Sequence, residues 1–230
     1  MTMIMRNIWH RRNKYVFEKK LLSPASVVQI ALLGYEDYKL AQECVRGEMD
    51  KKATKQTMKE GNGWRKPKDS MLKANFDAAT CESSRRLGIG VVIRGGEGEV
   101  YAAKCAVKVF NGCMFAAECF ALWEAMVLCE DLGLGNVQFE GDAKGVIDAV
   151  RRGDKDDSSA GHLVEALQQK INSFFKWNVS FIRTEGNEVA HQLAKMALNY
   201  EEDRYWVEEG PEEIVNQVVI DKMYDVTETV

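Results

Sequence analysis

The sequence is a chain of 230 residues with the composition of a globular protein. Hydrophobic residues make up 46% of it, which argues against disorder, and no apolar run approaches the length of a membrane span. The net charge of −4 is unevenly distributed, because residues 1–68 carry 15 Lys and Arg against 7 Asp and Glu, whereas residues 69–230 carry 16 against 28. A basic N-terminal arm is therefore attached to an acidic body.

The cysteine pattern and the N-terminus bear on the compartment. The six cysteines show no CxxC pair and no spacing typical of metal ligands, and most lie in apolar stretches. This favours reduced core cysteines in an intracellular protein, nuclear or cytoplasmic. The Arg-rich, acid-poor N-terminus also fits an organellar transit peptide, but a patterned segment from Trp9 to Lys20 makes targeting the less favoured interpretation.

The basic arm is predicted to contain at least one amphipathic helix. Ser23 and Pro24 form a helix-start signal, and apolar residues then recur at helical spacing to about Val45. From there to Lys68 the sequence is rich in Lys, Thr, Gly and Asn, which is typical of an exposed linker. The expected organisation has three parts: a basic helical extension and linker at 1–67, a folded domain at 68–200 and an acidic tail at 201–230.

The folded domain is predicted to start with three strands. Apolar and polar residues alternate over residues 71–79, and Asp77 lies among the polar ones. Two further segments, 88–94 and 99–109, are rich in Val, Ala and Ile, and a Gly-rich turn at 95–98 separates them. Short turns between successive strands predict an antiparallel meander.

The rest of the domain is predicted to alternate helices with strands. In chain order we expect a helix at 114–132 ended by Gly133, a strand at 136–141, a short helix at 143–151, an acidic loop, a helix at 161–175, a strand at 177–182 and a helix capped by Asn187 and running to 199. This order predicts one α/β domain with a mixed five-stranded sheet, in which an antiparallel meander is followed by parallel strands.

Two acidic residues occupy positions where an acid is unexpected. Asp77 lies in the middle of a short strand, where burial is costly unless a cation or hydrogen bonds satisfy the carboxylate. The simpler alternative is a carboxylate facing solvent. Glu118 lies on the apolar stripe of the helix at 114–132, with Leu122 and Cys129 on the same face. Glu124 lies off that stripe and is predicted to be an ordinary exposed acid.

A third acid, Asp142, stands at the end of the predicted strand at 136–141. An aspartate there serves equally well as the N-cap of the following helix, so its position alone does not separate capping from function. Glu140 lies on the same strand face two residues earlier and is the less favoured candidate.

Taken in order, these residues carry a family resemblance. The set consists of Asn75-Phe76-Asp77-Ala78-Ala79, the Gly-rich hairpin, Ala117-Glu118-Cys119-Phe120-Ala121-Leu122, Glu140-Gly141-Asp142-Ala143 and Asn187-Glu188-Val189-Ala190-His191-Gln192-Leu193-Ala194. It resembles the type 1 ribonuclease H family, and in particular the plant reverse-transcriptase-like subgroup related to non-LTR retroelements. The resemblance implies a ribonuclease H-like α/β fold and a nuclease that cuts the RNA strand of RNA–DNA hybrids.

The resemblance also implies a metal site. By analogy with the family, two ions of Mg²⁺ or Mn²⁺ would be held by acids from a central strand, a packed helix and a neighbouring strand end. Asp77 would bridge both ions, and Glu118 and Asp142 would hold the ion on the leaving-group side. Coordination would also explain why two acids lie on apolar elements.

One residue departs from the family pattern. Active members have an aspartate after the alanine that begins the last helix, whereas here Ala190 is followed by His191. An imidazole can bind a divalent ion, but it supplies no negative charge and suits transition metals better than Mg²⁺. The alternative is a surface histidine one turn into the helix. His191 therefore divides an active nuclease from a retroelement-derived domain that binds nucleic acid or protein without cutting.

Nucleic-acid contacts are predicted mainly in the basic arm. The acidic body carries only scattered cations, among them Lys104 and Lys108, which are predicted to be solvated surface residues. Phosphate contacts would then rest on the arm and on the last loop, with the candidate residues Arg11, Arg12, Lys14, Lys51, Lys52, Arg183 and Asn187. The arm is equally compatible with a role in partner binding or solubility.

Overall fold

The computed structural model describes residues 63–67, 71–152 and 161–226. The chain divides into two compact units, Met1–Met58 and Lys59–Val230. The predicted helix of the basic arm and the acidic loop after the short helix lie outside the described residues. All the described residues belong to the second unit.

The core of this unit is a sheet of six strands. They are β1 (Leu72–Cys81), β2 (Arg86–Arg94), β3 (Val100–Val109), β4 (Asn136–Gly141), β5 (Lys176–Phe181) and β6 (Arg204–Val207). Their order across the sheet is β5-β4-β1-β2-β3-β6. The pairs β1–β2, β2–β3 and β3–β6 are antiparallel, and β1–β4 and β4–β5 are parallel. The predicted mixed sheet with an N-terminal meander is confirmed.

Five α-helices accompany the sheet in the described part of the chain. They are α1 (Met114–Asp131), α2 (Lys144–Arg152), α3 (Gly161–Ile171), α4 (Glu188–Ala197) and α5 (Glu212–Val226). The first ends as the sequence predicts, because Gly133 has a φ of +68° and the N–H of Leu134 donates to the carbonyl of Cys129. A one-turn 3-10 helix, Thr184–Gly186, leads into α4.

Apolar side chains cover both faces of the sheet. On one face, Phe76 of β1 and Ile89 of β2 belong to the same buried cluster as Leu122 of α1. On the other face, Val92 of β2 packs in a second cluster with Leu193 of α4. Because successive residues of a strand point to opposite faces, Asn75 and Asp77 project towards α4, whereas Phe76 projects towards α1.

The prediction of five strands and an acidic tail is wrong in one respect. The segment predicted as a tail supplies β6, which pairs with β3, and α5, which packs on the domain through Ile214 and Val218. The strand was missed because it has only four residues, of which Arg204 and Tyr205 are exposed and leave no alternation to detect.

No helix within 63–67, 71–152 and 161–226 is long and apolar enough to cross a membrane. The cysteines in the same ranges are all free thiols, namely Cys81, Cys105, Cys113, Cys119 and Cys129.

Candidate metal centre

Three carboxylates from three different elements converge at one place. Asp77 comes from the middle of β1, Glu118 from the first turns of α1, and Asp142 directly follows β4. One ligand oxygen from each lies within 4.8 Å of the other two. The parallel pairing of β1 with β4 places the end of β4 beside Asp77. The structure therefore brings together the three acids that the sequence analysis selected.

The electrostatics of this cluster are unfavourable without a cation. Burial raises the pKa of Asp77 to about 7, with the nearby Asp142 adding to the shift and the hydrogen bond with His191 opposing it. Burial raises the pKa of Glu118 to about 9, reinforced by the charges of Asp77 and Asp142. Without a positive charge nearby, Glu118 would therefore be protonated at neutral pH and Asp77 would be close to the midpoint of its titration.

Glu118 also shows the fit of the site to a metal. Its Oε2 is buried and has no hydrogen-bond partner among the residues that the structure describes. An orphaned carboxylate oxygen inside a protein costs free energy, and a cation removes that cost. All three acids offer oxygen ligands, which are the donors that Mg²⁺ and Mn²⁺ prefer. The residues present thus fit a hard divalent ion.

Asp142 is half-exposed and is oriented by a neighbour that the sequence analysis did not select. The hydroxyl of Thr184 donates to Asp142 Oδ2 at 2.8 Å. Thr184 lies in the 3-10 turn before α4, in the loop where the sequence predicted only the nucleic-acid candidates Arg183 and Asn187. No sequence pattern pairs residues 42 positions apart, and the contact arises only because β4 and the turn meet at the same edge.

His191 lies against the acid cluster. Its Nδ1 is 2.8 Å from Asp77 Oδ2, and its side chain is 30% exposed. The structure therefore places the imidazole beside Asp77, where the resemblance to the family locates the fourth ligand, rather than on a remote surface. Binding of a metal by His191 and by the three acids remains a prediction.

The close approach of α4 to the sheet depends on two glycines of β2. A Cβ on Gly90 would lie 2.1 Å from the carbonyl oxygen of Ala190, and one on Gly88 would lie 2.2 Å from that of Ala194. These distances exclude any side chain, so the helix backbone rests directly on the strand. Gly90 is also the residue paired with Asp77 across the hairpin, which puts His191 within reach of the acid.

The predicted nucleic-acid contacts have different outcomes. Asn187 is fully buried, and its Nδ2 donates to the carbonyl of Phe76 at 2.9 Å, so the prediction that it contacts nucleic acid is wrong. It is the N-cap residue of α4, but its side chain makes no capping hydrogen bond. Arg183 is exposed beside Thr184 and stays a candidate. The remaining candidates lie outside the described residues: Arg11, Arg12, Lys14, Lys51 and Lys52.

The acids that the sequence analysis set aside are structural. Glu124, predicted to be exposed, is buried and accepts hydrogen bonds from Lys104 at 2.5 Å and from Lys108 at 2.7 Å. Lys104, predicted to be solvated, is only 3% exposed. Glu140 is buried in an ion pair with Lys73 at 3.0 Å, which excludes it as a competitor of Asp142. Amphipathic periodicity could not reveal these pairs because their partners lie on other elements.

The fold and the acid cluster together define a ribonuclease H-like protein, and comparison with known proteins identifies the family. Residues 75–197, more than half of the chain, match the family described as reverse transcriptase-like. The chain belongs to that family. The predicted plant subgroup stays a prediction. No curated protein sequence matches the chain.

Solved structures share the same architecture. Ribonuclease H1 from the halophilic archaeon Halobacterium salinarum superposes with a TM-score of 0.52 and 23% identity, covering 56% of this chain and 98% of that one. The N-terminal ribonuclease H domain of a Mycobacterium tuberculosis protein superposes with a TM-score of 0.51 and 18% identity, covering 57% of this chain and 95% of that one. A ribonuclease H1 isolated from compost superposes with a TM-score of 0.50 and 17% identity, covering 57% of this chain and 97% of that one. At these identities the likeness establishes the ribonuclease H fold.

Proposed function

We propose that the protein is a divalent-metal-dependent endonuclease that hydrolyses the RNA strand of RNA–DNA hybrids. The observation that carries the proposal is the convergence of three carboxylates within 4.8 Å, with one buried oxygen of Glu118 that finds no hydrogen-bond partner among the described residues. Such a cluster is unstable by itself and becomes favourable when a cation is held between the acids. The likeness to ribonuclease H structures is consistent with this site but extends only to the fold.

The ions proposed are two of Mg²⁺ or Mn²⁺, held by Asp77, Glu118, Asp142 and His191. When bound, such ions activate water and stabilise the leaving oxygen of a phosphodiester displacement. The residues of the chain hold and orient: Thr184 fixes one oxygen of Asp142, and the imidazole of His191 holds one oxygen of Asp77. Because Asp77 and Glu118 have raised pKa values, both must release protons before they act as ligands.

The direct test is cleavage by the purified full chain. A hybrid with labelled RNA would be incubated with Mg²⁺, with Mn²⁺ and with a chelator, beside single-stranded RNA, duplex RNA and duplex DNA. We expect metal-dependent cleavage of the RNA strand in the hybrid. Asp77→Asn should abolish it while leaving the fold intact, because the amide keeps the side-chain shape but removes the charge that the metal requires. Cleavage by Asp77→Asn at the wild-type rate would show that the site is misassigned.

One observation favours a second candidate, a domain that binds nucleic acid or protein without cutting. His191 stands where the family has an acid, and it engages Asp77 without adding a negative charge. If this candidate is correct, the wild-type chain would bind the hybrid but leave it uncut in either metal. The cleavage experiment therefore separates the two functions directly.

The nucleic-acid partner is proposed to be engaged through cations outside the acid cluster. Arg183 is exposed next to the turn that contacts Asp142, and the basic arm supplies the remaining candidates. Deleting residues 1–59 should weaken hybrid binding and flatten its salt dependence, because fewer phosphates would be neutralised. An unchanged slope of log affinity against log salt would assign the arm to partner binding instead.

The free cysteines are consistent with an intracellular location, nuclear or cytoplasmic.

A further inference from the structure

A continuous line of buried polar side chains runs from α5 to the first turn of α4, beside the acid cluster. Asp221 of α5 pairs with Arg94 at 2.5 Å, and Arg94 Nη2 donates to Asn75 Oδ1 at 3.1 Å. Asn75 Nδ2 donates to Asn187 Oδ1 at 3.3 Å, and Asn187 Nδ2 donates to the carbonyl of Phe76 at 2.9 Å. The four side chains are at most 3% exposed. We call them the buried polar chain.

Asn75 is the junction of this chain. Its Oδ1 accepts hydrogen bonds from Trp64 Nε1 at 3.0 Å and from Arg94, and its Nδ2 donates to Glu140 and to Asn187. An amide in this state has both polar atoms in use, so its orientation is fixed. A buried ion pair adds little net stability, because desolvation offsets the attraction between the charges, but it does fix geometry. The arrangement is therefore suited to holding elements in register.

Asn187, at one end of the buried polar chain, is bonded to the backbone next to Asp77 and to the backbone of His191. Its side chain is bonded to the carbonyl of Phe76, which belongs to the peptide that precedes Asp77. Its own carbonyl accepts the backbone N–H of His191 at 3.1 Å. A single residue thus ties the backbone at the acid to the helical turn that carries the imidazole.

The other end of the chain lies outside the residues matched to the family. Trp64 and Asp221 fall on either side of the range 75–197, yet both reach Asn75, one directly and one through Arg94. The guanidinium of Arg94 also lies 4.0 Å from the ring centroid of Trp64. Segments that flank the family domain are therefore connected by hydrogen bonds and an ion pair to the residues next to its acid cluster.

We propose that Asn187 is a positioning residue for the metal centre, and that Trp64 and Asp221 brace it from outside the family domain through Arg94 and Asn75. The buried polar chain sets the distance between His191 and Asp77, and therefore the geometry in which the ligands meet the ion. The inference rests on the proposed function for the identity of the ion, but the setting of His191 can be measured without any ion.

The test compares two variants of the chain with a matched control. Asn187→Ala removes the link to the Phe76 carbonyl, and Asp221→Asn weakens the brace at its far end. Glu124→Gln is the control, because the pair of Glu124 with Lys104 is also buried and also 2.5 Å long, but none of its hydrogen bonds reaches Asn75. Each full-length variant would be examined for Mn²⁺ binding by calorimetry, for the imidazole resonances of His191 by NMR and for melting temperature.

We expect Asn187→Ala to lower Mn²⁺ affinity about tenfold, the usual effect of removing a group that orients a ligand. It should also shift the His191 resonances in the metal-free protein. Asp221→Asn should change both in the same direction by a smaller amount. Glu124→Gln should lower the melting temperature and leave the Mn²⁺ affinity and the His191 resonances at their wild-type values. If Asn187→Ala and Asp221→Asn acted only by destabilising the fold, they would give this same result.

The inference is overturned if Asn187→Ala folds with wild-type His191 resonances and wild-type Mn²⁺ affinity. If Asn187→Ala does not fold, Asp221→Asn decides in the same way. It is also overturned if Glu124→Gln moves the readouts as much as the two variants do. If the wild-type protein binds Mn²⁺ without cutting the hybrid, the proposed function is contradicted but the comparison of variants stands. If no Mn²⁺ binds, the His191 resonances alone test whether Asn187 positions the imidazole.

Discussion

Glu118 and Glu124 lie on the same helix, α1, and each is 7% exposed, yet they have opposite electrostatic environments. Burial, together with the charges of the neighbouring acids Asp77 and Asp142, raises the pKa of Glu118 to about 9. For Glu124 burial acts in the same direction, but hydrogen bonds from Lys104 and Lys108 outweigh it, so the pKa is lowered. Burial of an acid is therefore not the sign of a functional site, whereas burial without a counter-charge is.

The same contrast separates the two groups of charges around β1. Glu140 is paired with Lys73, and Asp221 is paired with Arg94, so these acids have their counter-charges within the chain. Among the residues that the structure describes, the charged groups that act on Asp77 are Asp142 and His191, and those that act on Glu118 are Asp77 and Asp142. A protein that satisfies buried acids elsewhere and leaves these three exposed to one another fits a site that takes its positive charge from solution.

Among substitutions of the two glutamates, the largest effect is expected from Glu118→Gln. Loss of this ligand removes charge that the ions require, and metal-dependent stabilisation is worth several kcal/mol, so hybrid cleavage should fall by roughly a hundredfold or more. The measurement is the initial rate at saturating Mn²⁺ or Mg²⁺. Glu124→Gln is the matched control and should retain the wild-type rate. Equal losses in the two variants would remove the distinction drawn between the two acids.

The next effect concerns stability rather than chemistry. Glu124→Gln leaves the buried ammonium of Lys104 without its closest anion, which should lower the free energy of unfolding by about 2 kcal/mol. Urea denaturation with chelator present would measure it, with Glu118→Gln as the comparison. We expect Glu118→Gln to be at least as stable as the wild type, because it removes a carboxyl crowded by Asp77 and Asp142. A greater loss of stability in Glu118→Gln would contradict the comparison.

The distinction between these two acids shows how far the sequence reaches. Glu118 could be selected because an acid on an apolar helical stripe is anomalous. Glu124 was misassigned because its partner Lys104 lies on β3 and only the packing of α1 on the sheet brings them together. Periodicity identifies the face of a helix that is buried, but it does not identify the residue on the opposing element.

The fold could be predicted further than the site. Alternation and the Gly-rich turn at 95–98 predicted the meander, and four of the five described helices were predicted to within a few residues, whereas α5 lies in the segment predicted as a tail. The short strand β6 carries too few residues for a pattern. Within the site, the roles of Thr184 and Asn187 depend on contacts between residues 42 and 111 positions apart, which no local signal records. His191 could be placed beside Asp77 only through the family resemblance.

His191→Asp would add a fourth acid to the cluster of Asp77, Glu118 and Asp142. The imidazole lies 2.8 Å from Asp77, so an aspartate at the same position would place a further anionic ligand on the same side. We expect Mg²⁺-dependent cleavage to rise by one or more powers of ten, about 1.4 kcal/mol of barrier for each. The wild type should prefer Mn²⁺, because an imidazole nitrogen suits it better than Mg²⁺. A variant no more active than the wild type in Mg²⁺ would favour the non-cutting domain.

The smallest effect is expected from pH, measured as the change in the free energy of unfolding per pH unit in the metal-free protein. The folded-state pKa values of Asp77 and Glu118, about 7 and about 9, exceed their ordinary values of 3.8 and 4.5. The folded state therefore binds more protons than the unfolded state across this window. Stability should be greatest on the acid side and decrease as pH rises, until both groups are ionised near pH 9. Each group contributes at most about 1.4 kcal/mol per pH unit.

The two glutamates separate this effect from general pH sensitivity. Glu118→Gln removes one of the raised pKa values, so from about pH 5 to about pH 9 its unfolding free energy should decline by about 1 kcal/mol less per pH unit than that of the wild type. Glu124→Gln should decline in parallel with the wild type, because the pKa of Glu124 is lowered and its titration lies below this window. The measurement is urea denaturation at a series of pH values with chelator. Parallel slopes for the wild type and Glu118→Gln would mean that Glu118 is not held as an uncompensated acid, and the contrast with Glu124 would be lost.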